Sequence, residues 1–139
     1  MSNIKSLQRL LVVQAMYQLS INKDSKNYPI KDIFNQIISN SEYKYTISKS
    51  NLNFALKIFQ GVQDNSEKIN HDLKQVLASN KKMDNIDPLL LAIFQPAIYE
   101  LKYGLKISKK IVISEYLKIA DKFFSENEMG LLNGVLDNL

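Results

Sequence analysis

The clearest structural signal in the chain is the stretch Asp87-Pro-Leu-Leu-Leu-Ala-Ile-Phe-Gln-Pro-Ala-Ile-Tyr-Glu-Leu-Lys102. An aspartate followed by a proline predicts a helix start, because Asp caps free N–H groups and Pro fits the first helical position. The helix that follows, over about 88–102, is apolar on nearly every face, so we expect it to be central and deeply buried. Pro96 predicts a kink within it, and Gly104 marks its end.

Helical periodicity extends outward from this stretch in both directions, and no hairpin signal interrupts it. The other predicted helices span about 3–19, 29–39, 48–77, a segment capped by Ser108, and 128–138, with a bend in the third near Gly61 and Asp64. The polar connectors are 22–28, 40–47 and 79–85. The sequence therefore predicts a single all-α domain over 1–139, a compact bundle of about seven helices. Gly130 and Gly134 lie four apart in the last helix, which predicts close packing against a neighbouring helix.

Composition narrows the class of protein. The chain has 139 residues, no cysteine and 45% hydrophobic residues, as expected of one globular domain in a reducing compartment. Lys5 and Arg9 before an apolar run resemble a signal peptide only faintly, because Gln14 interrupts the run. The longest apolar run elsewhere is far below the roughly 20 residues of a membrane span. We expect a soluble, cytoplasmic protein that makes no membrane contact.

Catalytic chemistry is not indicated. His71 is the single histidine and has no partner at metal-ligand spacing, and the four glycines are isolated, so no phosphate-binding loop is present. We expect neither an enzyme, nor a metal, nor a cofactor. For Glu100, Glu115, Asn133 and Asp137, the favoured interpretation is that they cap neighbouring groups or hold buried hydrogen bonds within the helices.

The charge pattern suggests a polyanion-binding side. The formal net charge is +4. The lysines of the chain concentrate in two basic regions, 1–60 and 101–125, which are separated by an acidic region. The alternative is that these lysines are ordinary solvated side chains that bind no polyanion. Lysine almost completely replaces arginine, as though codon bias had exchanged the two wherever the protein tolerated it.

The first helix supplies one candidate RNA-binding face. Its apolar side carries Ile4, Leu7, Leu10 and Leu11, and its solvent side carries Lys5, Gln8 and Arg9. Two cations one turn apart with an amide between them can contact phosphates or a base edge, and Tyr17 can stack on an unpaired base. The alternative is that these side chains are simply the solvent-exposed face of an amphipathic helix and that Tyr17 is partly buried in the core.

Lys109 and Lys110 form a second candidate. They fall in the first turn of a predicted helix, where their positive charge is repelled by the positive end of the helix dipole. A bound anion would offset that repulsion. Lys118 and Lys122, one turn apart, either extend this patch or are simply solvated.

Several segments, in order, resemble the NusB antitermination-factor family. They are Arg9-Leu-Leu-Val-Val-Gln14-Ala-Met-Tyr17, Gly61-Val62 with Asn65, Ala97-Ile-Tyr99-Glu100-Leu101, Ile113-Ser-Glu115 with Ala120, and Leu132-Asn133-Gly134-Val135-Leu136-Asp137. The last segment is the most specific. Gln95, Pro96 and Ser114 depart from the family's pattern, and only Lys5 and Arg9 remain of its arginine-rich first helix.

The resemblance implies two packed three-helix units and a role in antitermination on ribosomal RNA operons. It implies that the chain binds single-stranded boxA-type RNA together with NusE and joins an RNA polymerase elongation complex. Two alternatives stay open: a protein-interaction bundle that has lost RNA binding, and a relative of the RNA-binding domain of an RNA methyltransferase. The oligomeric state, including a homodimer, is also left open.

Overall fold

The computed structural model describes residues 3–43, 46–47, 51–78, 86–104 and 106–139, and within these ranges it contains helices and no strand. The α-helices are α1 (Ile4–Ile21), α2 (Ile30–Ser39), α3 (Asn53–Asp64), α4 (Ser66–Ala78), α5 (Pro88–Ile98), α6 (Lys109–Asp121) and α7 (Glu126–Asp137). A 3₁₀ turn, Lys23–Asn27, follows α1. Within the described residues, the prediction of an all-α bundle of about seven helices is confirmed. The predicted helix start at 48 and the connector 79–85 lie outside the described residues.

Helix α5 is the centre of the bundle, as its sequence predicts. The Asp87 carboxylate accepts hydrogen bonds from the N–H groups of Leu89 (2.7 Å) and Leu90 (3.4 Å), which begins the helix. Ile93 and Phe94 are fully buried, and α5 packs against α1, α3, α4, α6 and α7. Each such side chain contributes about 1.5–3 kcal/mol on burial, so the core depends most on this helix.

Beyond Pro96, α5 continues into a π-helical turn, Tyr99–Tyr103, that ends at Gly104. The wider turn places Tyr99 and Glu100 inside the bundle, where both are buried. The Tyr99 ring lies against two glycines: a Cβ would be 2.1 Å from the ring at Gly61 and 2.9 Å at Gly104. Both glycines are therefore required by close approach of an aromatic ring. π-Helical turns are often found at functional sites.

Helix α1 connects several other helices of the bundle. It packs against α2, α3, α5 and α6, and Phe34 of α2 meets Phe59 of α3 edge to face with ring centroids 6.2 Å apart. The two three-helix units that the family resemblance implies stay a prediction.

The packing role predicted for the glycines of α7 is wrong. Gly130 and Gly134 are exposed, and a Cβ at either position would meet nothing within 4 Å. Helix α7 instead buries Leu132, Val135 and Leu136 on its opposite side. The apolar stripe decides which face packs, and the glycines lie away from it.

None of the helices in the described part of the chain is long and apolar enough to cross a membrane.

Candidate nucleic-acid interface

Helix α1 buries a different face from the one that its sequence predicts. Gln8 and Arg9, predicted to face solvent, are each only 3% exposed, whereas Lys5 is exposed as predicted. The prediction that Gln8 and Arg9 lie on an open face is wrong. The start of α3, the π-helical turn and α6 cover this side of α1 and provide polar partners for it, which hydrophobic periodicity alone does not reveal.

Arg9 is the centre of a buried ion-pair network. Its Nε and Nη2 donate to the two oxygens of Glu100, both at 2.9 Å, and its Nη1 donates to Glu115 at 3.2 Å. The guanidinium also lies over the Phe54 ring, 5.0 Å from the ring centroid, and the Tyr116 hydroxyl donates to Glu100. This planar fork joins α1 to the π-helical turn and to α6, a geometry that lysine does not reproduce.

The network shifts the ionisation of its members. Burial disfavours the charged form of Arg9, but its hydrogen bond to Glu100 and the nearby negative charges together outweigh burial and raise the pKa of Arg9. Burial opposes ionisation of Glu115 too, yet its hydrogen bonds to Lys118 and Ser6 and the charges of Lys118 and Arg9 together lower the pKa of Glu115. Burial, reinforced by Glu100, raises the pKa of Tyr116 well above its usual value. The Arg9 guanidinium and the Glu115 carboxylate thus remain charged at neutral pH, in a network that is structural.

Gln8 joins α1 to the start of α3. Its Nε2 donates to the Asn51 carbonyl at 2.9 Å, and its Oε1 accepts from the Ala55 N–H at 2.8 Å. The first N–H groups of any helix lack partners within the helix, and the residue preceding α3, Leu52, has no polar side-chain atom to cap them. Gln8 therefore caps α3 from a distance, and its amide is occupied within the fold.

A groove of about 480 Å³ runs between the first half of α1 and α6. Its lining includes Ser6, Leu10 and four charged side chains, those of Glu115, Lys118, Asp121 and Lys122. The Ser6 hydroxyl donates to Glu115, and Lys118 forms an ion pair with Glu115 at 2.8 Å while its side chain stays 69% exposed. We call this the α1–α6 groove. Its two lysines are the pair that the sequence suggested as an extension of the basic patch.

Lys5 and Tyr17 lie at different places along α1. The Lys5 ammonium is 5.5 Å from the centroid of the Phe54 ring on α3. Tyr17, half-buried, lines a second groove of about 430 Å³ between α1 and α2, together with Gln14 and Gln36. We call this the α1–α2 groove. The RNA-binding role of Lys5 and Tyr17 stays a prediction.

Lys109 and Lys110 occupy the first turn of α6, as predicted. Lys109 donates to the carbonyls of Asp137 (2.8 Å) and Leu139 (3.4 Å) at the end of α7. A cation is favourable there, because it faces the negative end of the helix dipole. The exposed side chain of Lys109 thus has a structural partner, whereas Lys110 is directed to solvent.

A further polar cluster, not found by the sequence reasoning, joins α4 to the π-helical turn. Asp72 accepts from the Tyr103 hydroxyl and pairs with Lys102 at 3.1 Å. The hydrogen bond to Asp72 raises the pKa of Tyr103 to about 12, and the same bond lowers the pKa of Asp72. The partners are 31 positions apart along the chain, so helical spacing carries no signal of the pair.

Among the described residues, no group of three or more histidine, cysteine, aspartate or glutamate side chains is arranged to hold a metal ion.

The architecture places the chain among all-α proteins with the NusB fold. A solved structure of NusB from T. maritima matches it with a TM-score of 0.74 and 20% sequence identity, covering 99% of this chain and 91% of that one. The chain belongs to the NusB family, whose model matches residues 6–139.

Curated relatives carry the same family name. The chain is 28% identical over 133 residues to a transcription antitermination protein NusB of Caulobacter vibrioides, covering 96% of this chain and 89% of that one. It is 32% identical over 146 residues to the corresponding protein of Rickettsia typhi, with 99% and 91% covered. The resemblance read from the sequence motifs is confirmed.

Proposed function

We propose that this chain is a transcription antitermination factor that binds boxA-type single-stranded RNA of ribosomal RNA operons together with NusE. The pair then joins an RNA polymerase elongation complex in the cytoplasm. The observation that carries the proposal is the family match over residues 6–139, and the relatives named above are antitermination proteins.

The surface best suited to a phosphate backbone is the rim of the α1–α6 groove. Lys118 and Lys122 line this groove, whereas Lys5 lies on the α3 side of α1, near the Phe54 ring. The ion pair of Lys118 with Glu115 does not prevent phosphate binding, because the Lys118 side chain stays 69% exposed in that pair. Arg9 is not included, since its three hydrogen-bonding nitrogens point to carboxylates inside the bundle.

Two lysines provide a weak electrostatic surface, which is why a partner belongs to the proposal. In single-stranded RNA each neutralised phosphate contributes about 0.7 to the slope of log affinity against log salt. Binding by the chain alone should therefore be weak and strongly salt-dependent. A second protein that extends the basic surface would raise the affinity without any new contact on this chain.

The test is a salt titration of boxA RNA binding, with and without NusE. The double variant Lys118→Gln with Lys122→Gln should reduce the salt slope by about 1.4. A matched control, Lys23→Gln with Lys26→Gln, removes two exposed lysines from the 3₁₀ turn and should leave RNA binding nearly unchanged. An equal loss in both double variants would show that only overall charge matters and would contradict the assignment of this surface.

A second candidate function is a protein-interaction bundle without RNA binding. It is favoured by the burial of Gln8 and Arg9, since two of the residues expected to contact RNA are occupied inside the fold. Absence of RNA binding both with and without NusE, while NusE itself still binds, would select this candidate.

A further inference from the structure

A pocket of about 510 Å³ lies where the 3₁₀ turn, α2 and α3 meet over the end of α1. We call this the α2–α3 pocket. Leu10 lines the α1–α6 groove, whereas Leu19, nine positions later on α1, lines the α2–α3 pocket. At about 100° per residue this separation is half a turn around the helix. The pocket and the α1–α6 groove therefore lie on opposite sides of α1.

The floor of the α2–α3 pocket is apolar and already formed. Ile33 is 3% exposed, and the other apolar residues that line the floor are half-buried: Leu19, Ile30 and Phe59. The fully buried ring of Phe34 holds the Phe59 ring edge to face. Side chains that are fixed in this way lose little conformational freedom when a ligand covers them, which favours binding.

Tyr28 forms a wall of the pocket on a fixed backbone. It is 63% exposed, its N–H donates to the Ser25 carbonyl at 3.2 Å, and the ring of Pro29 restricts the backbone that follows. Ser25 is buried, and its hydroxyl accepts a hydrogen bond from Gln18 of α1 at 3.1 Å. The turn is thus anchored to α1. A rigidly presented tyrosine beside an apolar pocket is typical of the anchoring contacts of protein interfaces.

The polar groups of the pocket favour an acidic ligand. Among the described residues that line it, Lys26 is the charged one, and Lys26 forms no ion pair within the described part of the chain. The Tyr28 hydroxyl and the exposed Gln63 amide supply two further hydrogen-bond donors. Over residues 23–32 three lysines outnumber two aspartates. A carboxylate is the ligand group that matches this set of donors.

We propose that the α2–α3 pocket docks a segment of a partner protein that carries a large apolar side chain beside acidic residues. The apolar side chain packs on Ile33 and Phe59 next to the Tyr28 ring, and a neighbouring carboxylate pairs with Lys26. The volume of the pocket is within the range of ligand sites. The inference does not rest on RNA binding, because no residue of the α1–α6 groove takes part in it.

A nucleic acid is a poorer occupant than such a segment. A phosphate backbone requires several cations along its path, whereas a single lysine is found among the described residues that line the pocket. The edge of a base requires hydrogen-bonding partners, and the side chains of the floor have none to offer. An aliphatic or aromatic side chain loses no hydrogen bond when it enters.

The test uses short acetylated peptides in which a central Leu, Phe or Trp is flanked by glutamates. Binding to the full chain, labelled with nitrogen-15, is measured by NMR titration. At least one peptide should shift the amide signals of Tyr28 and Phe59, and replacing its central residue by Ala should abolish binding. Tyr28→Ala should weaken binding by about tenfold or more, because it removes the anchoring ring.

A charge exchange tests the acidic part of the ligand. Lys26→Glu should weaken binding of the glutamate peptide by about fivefold or more. A peptide with lysines in place of the glutamates should bind Lys26→Glu better than it binds the unmodified chain, since the two changes report one contact. Both Lys26 and Tyr28 are exposed, so their variants are expected to fold, which circular dichroism checks.

Matched controls separate this contact from general effects of charge and apolar surface. Lys23→Glu changes an exposed lysine of the same turn that does not line the pocket, and Phe123→Ala removes an exposed ring elsewhere. Both variants should bind the peptide within about twofold of the unmodified chain, since neither removes a proposed contact.

The proposal is overturned if none of the three peptides shifts Tyr28 and Phe59, or if Lys23→Glu and Lys26→Glu weaken binding equally. Displacement of the peptide by boxA RNA, with the same signals shifted, would assign the pocket to a nucleic acid instead. A dimer in sedimentation equilibrium that Tyr28→Ala dissociates would assign it to a second copy of this chain. None of these results bears on whether the chain binds RNA elsewhere, and a lack of RNA binding would overturn the proposed function alone.

Discussion

Replacement of Arg9 by lysine should destabilise the protein far more than an exchange of one cation for another normally does. Arg9 makes three charge-assisted hydrogen bonds to Glu100 and Glu115 at 2.9–3.2 Å and is 3% exposed. A lysine ammonium is a single point donor and cannot hold both oxygens of Glu100 while reaching Glu115. Hydrogen bonds to charged groups contribute about 1.5–3 kcal/mol each. The loss of one to two of them predicts a destabilisation of about 3 kcal/mol.

This free energy converts to a measurable melting shift. Unfolding entropy of about 2.1 cal/mol/K per residue gives about 0.3 kcal/mol/K for 139 residues. A loss of about 3 kcal/mol therefore lowers the unfolding midpoint by about 10 °C. Differential scanning calorimetry at pH 7 measures it, with Lys5→Arg as the control, since Lys5 is exposed and its exchange should shift the midpoint by less than about 2 °C.

RNA binding provides the second half of the test. Below its melting temperature, Arg9→Lys should bind boxA RNA with nearly the affinity of the unmodified chain, because the guanidinium does not reach the surface. If Arg9→Lys keeps its stability but loses RNA affinity, the reasoning is refuted. Arg9 would then belong to the RNA interface.

Four further substitutions test other parts of the structure. Gly130→Ala and Gly134→Ala should each stabilise the protein by about 0.5–1 kcal/mol, since both positions are open and helical; a lower unfolding midpoint would show that something packs there. Gln8→Ala should cost about 1–3 kcal/mol in urea unfolding, because a buried N–H at the start of α3 loses its partner; unchanged stability would mean that water replaces the amide. Tyr103 has its pKa raised to about 12, so the stability that this shift provides is present below pH 10 and is lost as pH rises through about 12. Tyr103→Phe should remove that alkaline loss from a pH series of unfolding midpoints, and an unchanged series would assign the loss to another group.

Most helices could be predicted from sequence because their signals are local. The Asp87-Pro88 start and the apolar periodicity of α5 act within one or two turns, and the structure confirms both. The break between α3 and α4 at Asn65 follows from the same kind of signal. The family motifs also predicted the fold, because their order along the chain matches the order in a family whose members fold as a helical bundle.

The orientation of α1 could not be predicted in the same way. From sequence alone, a polar residue is assigned to the surface, because a buried partner of opposite charge cannot be recognised. The partners of Arg9 are 91 and 106 positions away along the chain. One clue was present. If lysine replaced arginine wherever the protein tolerated it, the single remaining arginine marks a position that requires a planar, multiply bonding cation.

The amino-acid sequence alone determined the helices, the family and the absence of recognisable catalytic motifs, because each of these depends on short-range spacing. Only the tertiary structure decided which polar side chains of α1 are interior and which line a groove. It also decided that Gly61 lies against the Tyr99 ring while Gly130 and Gly134 face outward. The physical reason is that burial depends on which helix covers a face, and that is settled by contacts between residues far apart in the chain.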